Sequence, residues 1–113
     1  MDEIHFLVQG SADEPYKVLF RKSGNNLIAL CTCPAGTVGQ YCKHRLGILK
    51  GLTNNIVSEN EEYVKVVESW LHGSNIEKVL NQLKEAENSL ESAKKNVSLL
   101  KKKLARSMLG DEA

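Results

Sequence analysis

Three features of this sequence predict an α+β fold in two parts: a small three-stranded antiparallel sheet with a stapled loop and short helices, then one long helix. Short runs before Cys31 alternate apolar and polar residues, which is the period of a half-buried strand. All three cysteines gather with a histidine inside Cys31–His44. From Ile76 onward an apolar residue returns every seventh position, and neither glycine nor proline interrupts the chain as far as Leu109.

The strands come first. Ile4, Phe6 and Val8 share one face, with His5 and Leu7 on the other. The turn cluster from Gly10 to Pro15 ends that run. Tyr16, Val18 and Phe20 then alternate with Lys17 and Arg21, and Ser23-Gly-Asn-Asn26 signals a hairpin because Gly and Asn tolerate positive φ. Leu27 to Leu30 leads directly into Cys31, so the meander delivers the first half of the cysteine cluster.

That cluster reads CTCPAGTVGQYCKH: Cys-x-Cys, an eight-residue loop, then Cys-x-His. Three thiols and an imidazole are the donors of a closed tetrahedral zinc site. Cys31 and Cys33 lie at i and i+2, where an extended backbone turns both sulfurs to one side. Pro34, Gly36 and Gly39 let the loop fold back. Cys42 and His44 close the set from the entry to a helix, with Cys42 before or at its start, where the dipole favours thiolate. Buried free thiols are the plain alternative, but no apolar period runs through the segment. A disulfide would leave an odd thiol, and the acidic opening MDEIHFLVQG does not read as a secretory signal. One structural Zn²⁺ per chain, bound by Cys31, Cys33, Cys42 and His44, is therefore expected, in a reducing, cytoplasmic setting. His5 is expected to be exposed or hydrogen-bonded rather than a ligand.

The "CxCP" opening, the "YCKH" closing, the strand-rich lead-in and the following helix resemble the SWIM-type zinc finger, over roughly residues 16–55. That finger occurs in chromatin-remodelling ATPases, Mutator-type transposases and recombination accessory proteins. The resemblance implies a zinc-stabilised module whose ligand is DNA or protein. It implies no enzyme, because catalysis in those proteins belongs to other domains.

After the cluster, Leu46, Leu49 and Leu52 have helical spacing between Arg45 and Thr53, with Asn54-Asn55 as the stop and Gly47 and Gly51 weakening the helix. Ser58-x-x-Glu61 matches a capping box opening a helix through Leu71, with Tyr63, Val67, Trp70 and Leu71 as its apolar face, Val64 beside it and Gly73 past its end. His72 complements the dipole there. About seventy residues is a small core for an unaided fold, which is the physical reason to expect a staple.

Ser74-x-x-Glu77 opens the long helix. Ile76, Leu83, Leu90, Val97 and Leu104 form its a series, and Val79, Ala86, Ala93, Leu100 and Ser107 its d series. The stripe predicts a coiled coil that oligomerises, most simply as a dimer, through Ile76, Val79, Leu83, Leu90, Val97, Leu100 and Leu104. Residues 74–91 carry two lysines against four glutamates, net −2, and residues 92–109 carry five lysines and an arginine without an acid, net +6. Such halves attract in an antiparallel pair, suit a polyanionic partner at the basic end, or form a solvated face.

The expected domains are 1–73, a zinc-binding domain, 74–109, the oligomerising helix, and a tail at 110–113. With 113 residues, 42% of them apolar, and a net charge of +1, overall charge selects no partner class. No run reaches the roughly eighteen apolar residues of a membrane span. Neither paired catalytic carboxylates, a phosphate-cradling loop nor a nucleophile elbow is visible, so no enzyme and no small-molecule substrate are expected. The favoured function is a non-enzymatic interaction module whose finger binds a protein. The alternative is DNA binding through Arg21, Lys22, Lys43, Arg45 and Lys50 and the basic helix end.

Overall fold

The computed structural model describes residues 2–110, so the expected tail lies outside the described residues beyond Gly110. The elements are β1 (Asp2–Val8), β2 (Tyr16–Ser23), β3 (Asn26–Cys31), α1 (Pro34–Thr37), α2 (Lys43–Leu49), a 3₁₀ turn (Glu61–Tyr63), α3 (Val64–Leu71) and α4 (Asn75–Met108). The class is the expected one: a three-stranded antiparallel sheet in the order β1-β2-β3, short helices and a long final helix. Two compact units divide the chain, Met1–Lys78 and Val79–Ala113.

Alternation fixes the inner face of the sheet. Phe6 pairs with Val18 and Ile4 with Phe20 across β1 and β2, while Val18 pairs with Cys31 across β2 and β3. Phe6, Val18 and Phe20 are fully buried, and the rings of Phe6 and Phe20 meet edge to face at 6.1 Å. Each such ring contributes about 1.5–3 kcal/mol through burial. Gly24, at φ +61, makes the tight β2–β3 connection at the Ser23–Asn26 pair. It is the position where a two-residue hairpin of type II′ needs glycine.

Each sheet edge is capped over one stretch. Beside β1, Val8 bridges Ile56, the Gln9 N–H donates to the Asn55 carbonyl, and the Val57 N–H donates to the Leu7 carbonyl. Beside β3, Asn75 takes the place of a strand. Its Oδ1 accepts from the Leu27 N–H at 2.7 Å, and its Nδ2 donates to the Leu27 carbonyl at 3.3 Å.

The helices depart from the sequence reading in three places. Helical spacing carries α2 to Thr53, but it ends at Leu49, because Gly51 at φ +87 reverses the chain. The Gly51 N–H then donates to the Ile48 carbonyl and the Leu52 N–H to the Gly47 carbonyl, a Schellman closure that leaves Leu52 outside the helix and exposed. Ser58 does not cap a helix: its hydroxyl accepts from the Leu7 N–H, so Glu61–Tyr63 forms a 3₁₀ turn and the α-helix begins at Val64. The buried face of α3 is consequently Val64, Val67 and Trp70, with Tyr63 exposed. Third, Pro34–Thr37 is a one-turn helix where a loop is expected.

Helix α4 starts at its motif, with the carboxylate's bond displaced by one residue from Ser74 to Gly73. The Glu77 N–H donates to the Ser74 hydroxyl, and the Glu77 carboxylate accepts from the Gly73 N–H. Its 34 residues extend about 51 Å. Every residue from Asn81 to Gly110 is exposed. Among the described residues no helix is long and apolar enough to cross a membrane.

Candidate metal centre

The strand end and two helix starts bring the four expected donors together. Cys31 is the last residue of β3, on the inner face of the sheet opposite Val18. Cys33 is the N-cap of α1, followed by Pro34 at the first helical position, where the missing N–H costs nothing. Cys42 is the N-cap of α2, in extended conformation, and His44 stands in that helix's first turn. The donor atoms of Cys31, Cys33, Cys42 and His44 all lie within 4.8 Å of one another. All three thiols are buried, and none is in a disulfide.

The spacing fits a shared ion. Two thiolates on a tetrahedral zinc lie about 3.7 Å apart, from metal–sulfur bonds of about 2.3 Å. Here the sulfurs of Cys33 and Cys42 are 3.4 Å apart, and Nδ1 of His44 is 3.6 Å from the Cys42 sulfur and 3.9 Å from that of Cys31. Backbone donors support the sulfurs: the Cys33 N–H faces Cys31 at 3.5 Å and the Gly36 N–H faces Cys33 at 3.3 Å. Such bonds favour the thiolate that a metal requires.

The thiols are already unequal. Burial opposes ionisation at Cys31 and pushes its thiol up to about 12, reinforced by the neighbouring sulfurs of Cys33 and Cys42. Burial also raises Cys42, but the Arg45 backbone N–H, then Cys33, His44 and Cys31, outweigh it and bring the thiol down to about 6. Of these two thiols, Cys42 is the one the site favours as thiolate.

Several supports escape a reading of the sequence. Tyr16 lays its ring against His44 at 5.1 Å. Thr32, between the first two cysteines, binds β2 twice, its N–H donating to the Lys17 carbonyl and its hydroxyl accepting from the Lys17 N–H. Gly36 lies hard against the backbone of β3: a Cβ there would stand 2.4 Å from the Cys31 carbonyl oxygen. A glycine in a turn-rich loop signals only flexibility, and nothing in the sequence announces a close contact.

The expected basic rim is dispersed. Arg21 lies on the outer sheet face, paired with Glu3 at 2.8 Å. Lys22 pairs with Leu27 near the β2–β3 turn, four rungs from the Val18–Cys31 pair and about 13 Å along the strand. Arg45 is a brace, donating to the carbonyls of Gln40 at 2.6 Å and Ala29 at 3.1 Å. Only Lys43 and Lys50 remain exposed near α2. His5 pairs with Glu3 on the outer face, and His72 lies 3.3 Å from Glu77, both away from the cluster.

These features define a small α+β domain whose Cys₃His cluster could hold one metal ion. Comparison with protein-family models, curated proteins and solved structures finds no match for this chain.

Proposed function

We propose that the cluster holds one structural Zn²⁺ and that the chain is a non-enzymatic interaction module. The carrying observation is four donors of the preferred type converging from one fourteen-residue segment, each within 4.8 Å of the others. Zinc would supply a cross-link between β3, α1 and α2, with all four tetrahedral positions taken by protein and none left for a substrate. The ligand order supports assigning the head to the SWIM-type finger. Three free thiols suit a reducing, intracellular setting.

The head binds a protein partner over the zinc loop, where Val38 and Tyr41 are 67% and 69% exposed. Exposed aromatic and aliphatic groups on a braced loop favour protein contacts over phosphate contacts. The engagement of Arg21 and Arg45 elsewhere weakens the DNA alternative. The exposed stripe of α4 joins two copies.

Elemental analysis of the purified chain tests the reading. About one zinc per chain is expected, and Cys33→Ser should lose the metal and lower the melting temperature of the head. A purified chain that holds no zinc, or a Cys33→Ser variant that retains it unchanged, would refute it.

A further inference from the structure

We infer that α4 pairs with α4 of a second copy in one specified arrangement, an antiparallel two-stranded coil in which Leu90 packs on the partner's Ala93. The inference rests on the self-association proposed above and adds its direction and register.

The surface is real and bare. Leu83, Leu90, Val97, Leu100 and Leu104 lie on one side of a continuous helix, and exposures of 56% at Leu90 and 51% at Val97 leave them uncovered within the chain. A stripe this long on a helix of low overall hydropathy is stable in water when another stripe covers it.

Direction follows from the sizes of the stripe residues. In a parallel pair each d residue meets itself, so Ala86 would face Ala86 and Ala93 would face Ala93, two hollow layers at mid-helix on either side of the Leu90 layer. In an antiparallel pair a residues meet d residues. Leu90 then faces the partner's Ala93, Val97 the partner's Ala86, Leu83 the partner's Leu100, and Leu104 the partner's Val79. Every alanine meets a larger side chain, which is how facing layers fill evenly.

Charge points the same way. A parallel pair superimposes the +6 half on itself, whereas the antiparallel pair lays it against the −2 half.

Register follows from the flanking e positions, which face one another in an antiparallel coil. In the register above, Glu87 faces the partner's Lys94, and symmetry makes that attraction twice. Sliding one heptad in one direction places Glu87 against the partner's Glu87. Sliding one heptad in the other places Lys94 against the partner's Lys94. Only the chosen register avoids both clashes, and it matches the exposed stripe from Val79 to Leu104 with itself; Ile76, expected in the stripe, packs partly against the head's core and stays outside the coil.

Charge reversal in the full-length chain tests this, with the dissociation constant read by sedimentation equilibrium. Glu87→Lys and Lys94→Glu should each weaken the dimer about tenfold, since two attractions become two repulsions. The double variant should return to within about twofold of the parent, because the pair is restored with reversed sign. In a parallel coil these positions face Gln82 and Ser89 of the partner, so single reversals would have little effect and the double would rescue nothing. A dimer showing that pattern overturns the register and leaves self-association standing. A parent chain that is monomeric at tens of micromolar overturns both.

Discussion

Gly36→Ala should loosen the metal centre without touching a ligand. The new methyl would lie 2.4 Å from the Cys31 carbonyl oxygen, 2.9 Å from its Cβ and 3.0 Å from its carbonyl carbon. Ordinary contacts are about 3.5 Å, so α1 must withdraw by about 1 Å. Neither side yields easily: Cys31 is held in the ladder opposite Val18, and Gly36 is held by its N–H on the Cys33 sulfur. Overpacking of this kind costs about 1–3 kcal/mol, offset by about 0.5 kcal/mol from the stiffer unfolded chain. For a domain of this size the net corresponds to roughly 4–15 °C in melting temperature. The withdrawal also carries Cys33 away from Cys31, so zinc should pass more readily to a competing chelator. Gly47→Ala is the internal control, since its nearest neighbour would be Leu52 Cδ1 at 3.8 Å inside a helix. It should raise stability by about 0.5–1 kcal/mol. Thermal denaturation by circular dichroism, paired with chelator competition, reads both variants. A Gly36→Ala protein that melts with the parent and keeps its metal as tightly would show that the contact is not limiting.

Three further outcomes follow from the same geometry. In the metal-free chain, thiolate absorbance near 240 nm should rise first near pH 6 from Cys42, with Cys31 still a thiol above pH 10. Because Cys42 lies below its usual 9.0, its contribution to stability is complete above about 9 and is lost as pH falls through 6, whereas that of Cys31 is present below 9 and lost as pH rises toward 12. A single titration step for both would contradict the assignment. Arg45→Gln should destabilise the head by about 1–3 kcal/mol by stripping two carbonyls of a charged donor, while Lys43→Gln stays within about 0.5 kcal/mol; equal effects in urea denaturation would count against the brace. Asn75→Ala should cost about 1–3 kcal/mol and quicken hydrogen exchange at the Leu27 amide, and unchanged protection there would disprove the strand-like role.

What the sequence announced, it announced through local periods. Strand alternation around Phe6, Val18 and Phe20 needs no tertiary knowledge, and neither does the cap at Ser74, whose partner Glu77 is three residues away. The cysteine cluster was legible for the same reason: its four members lie within one short segment and belong to one chemistry. Failures occurred where distant groups competed for a local signal. Ser58 has the same motif as Ser74, but the unpaired N–H of Leu7 at the sheet edge claimed its hydroxyl. The 3₁₀ turn that resulted shifted the apolar face of α3 by one residue, from Tyr63 to Val64. Arg45 looked like a free cation because its carbonyl partners, Gln40 and Ala29, are set by how α2 docks on β3.

The mimicry of a strand by Asn75 has a bearing on where the chain can be cut. An amide that occupies both the N–H and the carbonyl of Leu27 denies that stretch of β3 to any other strand. It is therefore a guard against edge-to-edge aggregation supplied by the helix that follows the domain. A fragment ending at Gly73 would keep every metal ligand and lack its sentinel, offering an open edge beside the exposed Leu30. A fragment ending at Lys78 would retain it. The closing of that edge thus falls to a residue that, by sequence period alone, belongs to the neighbouring helix.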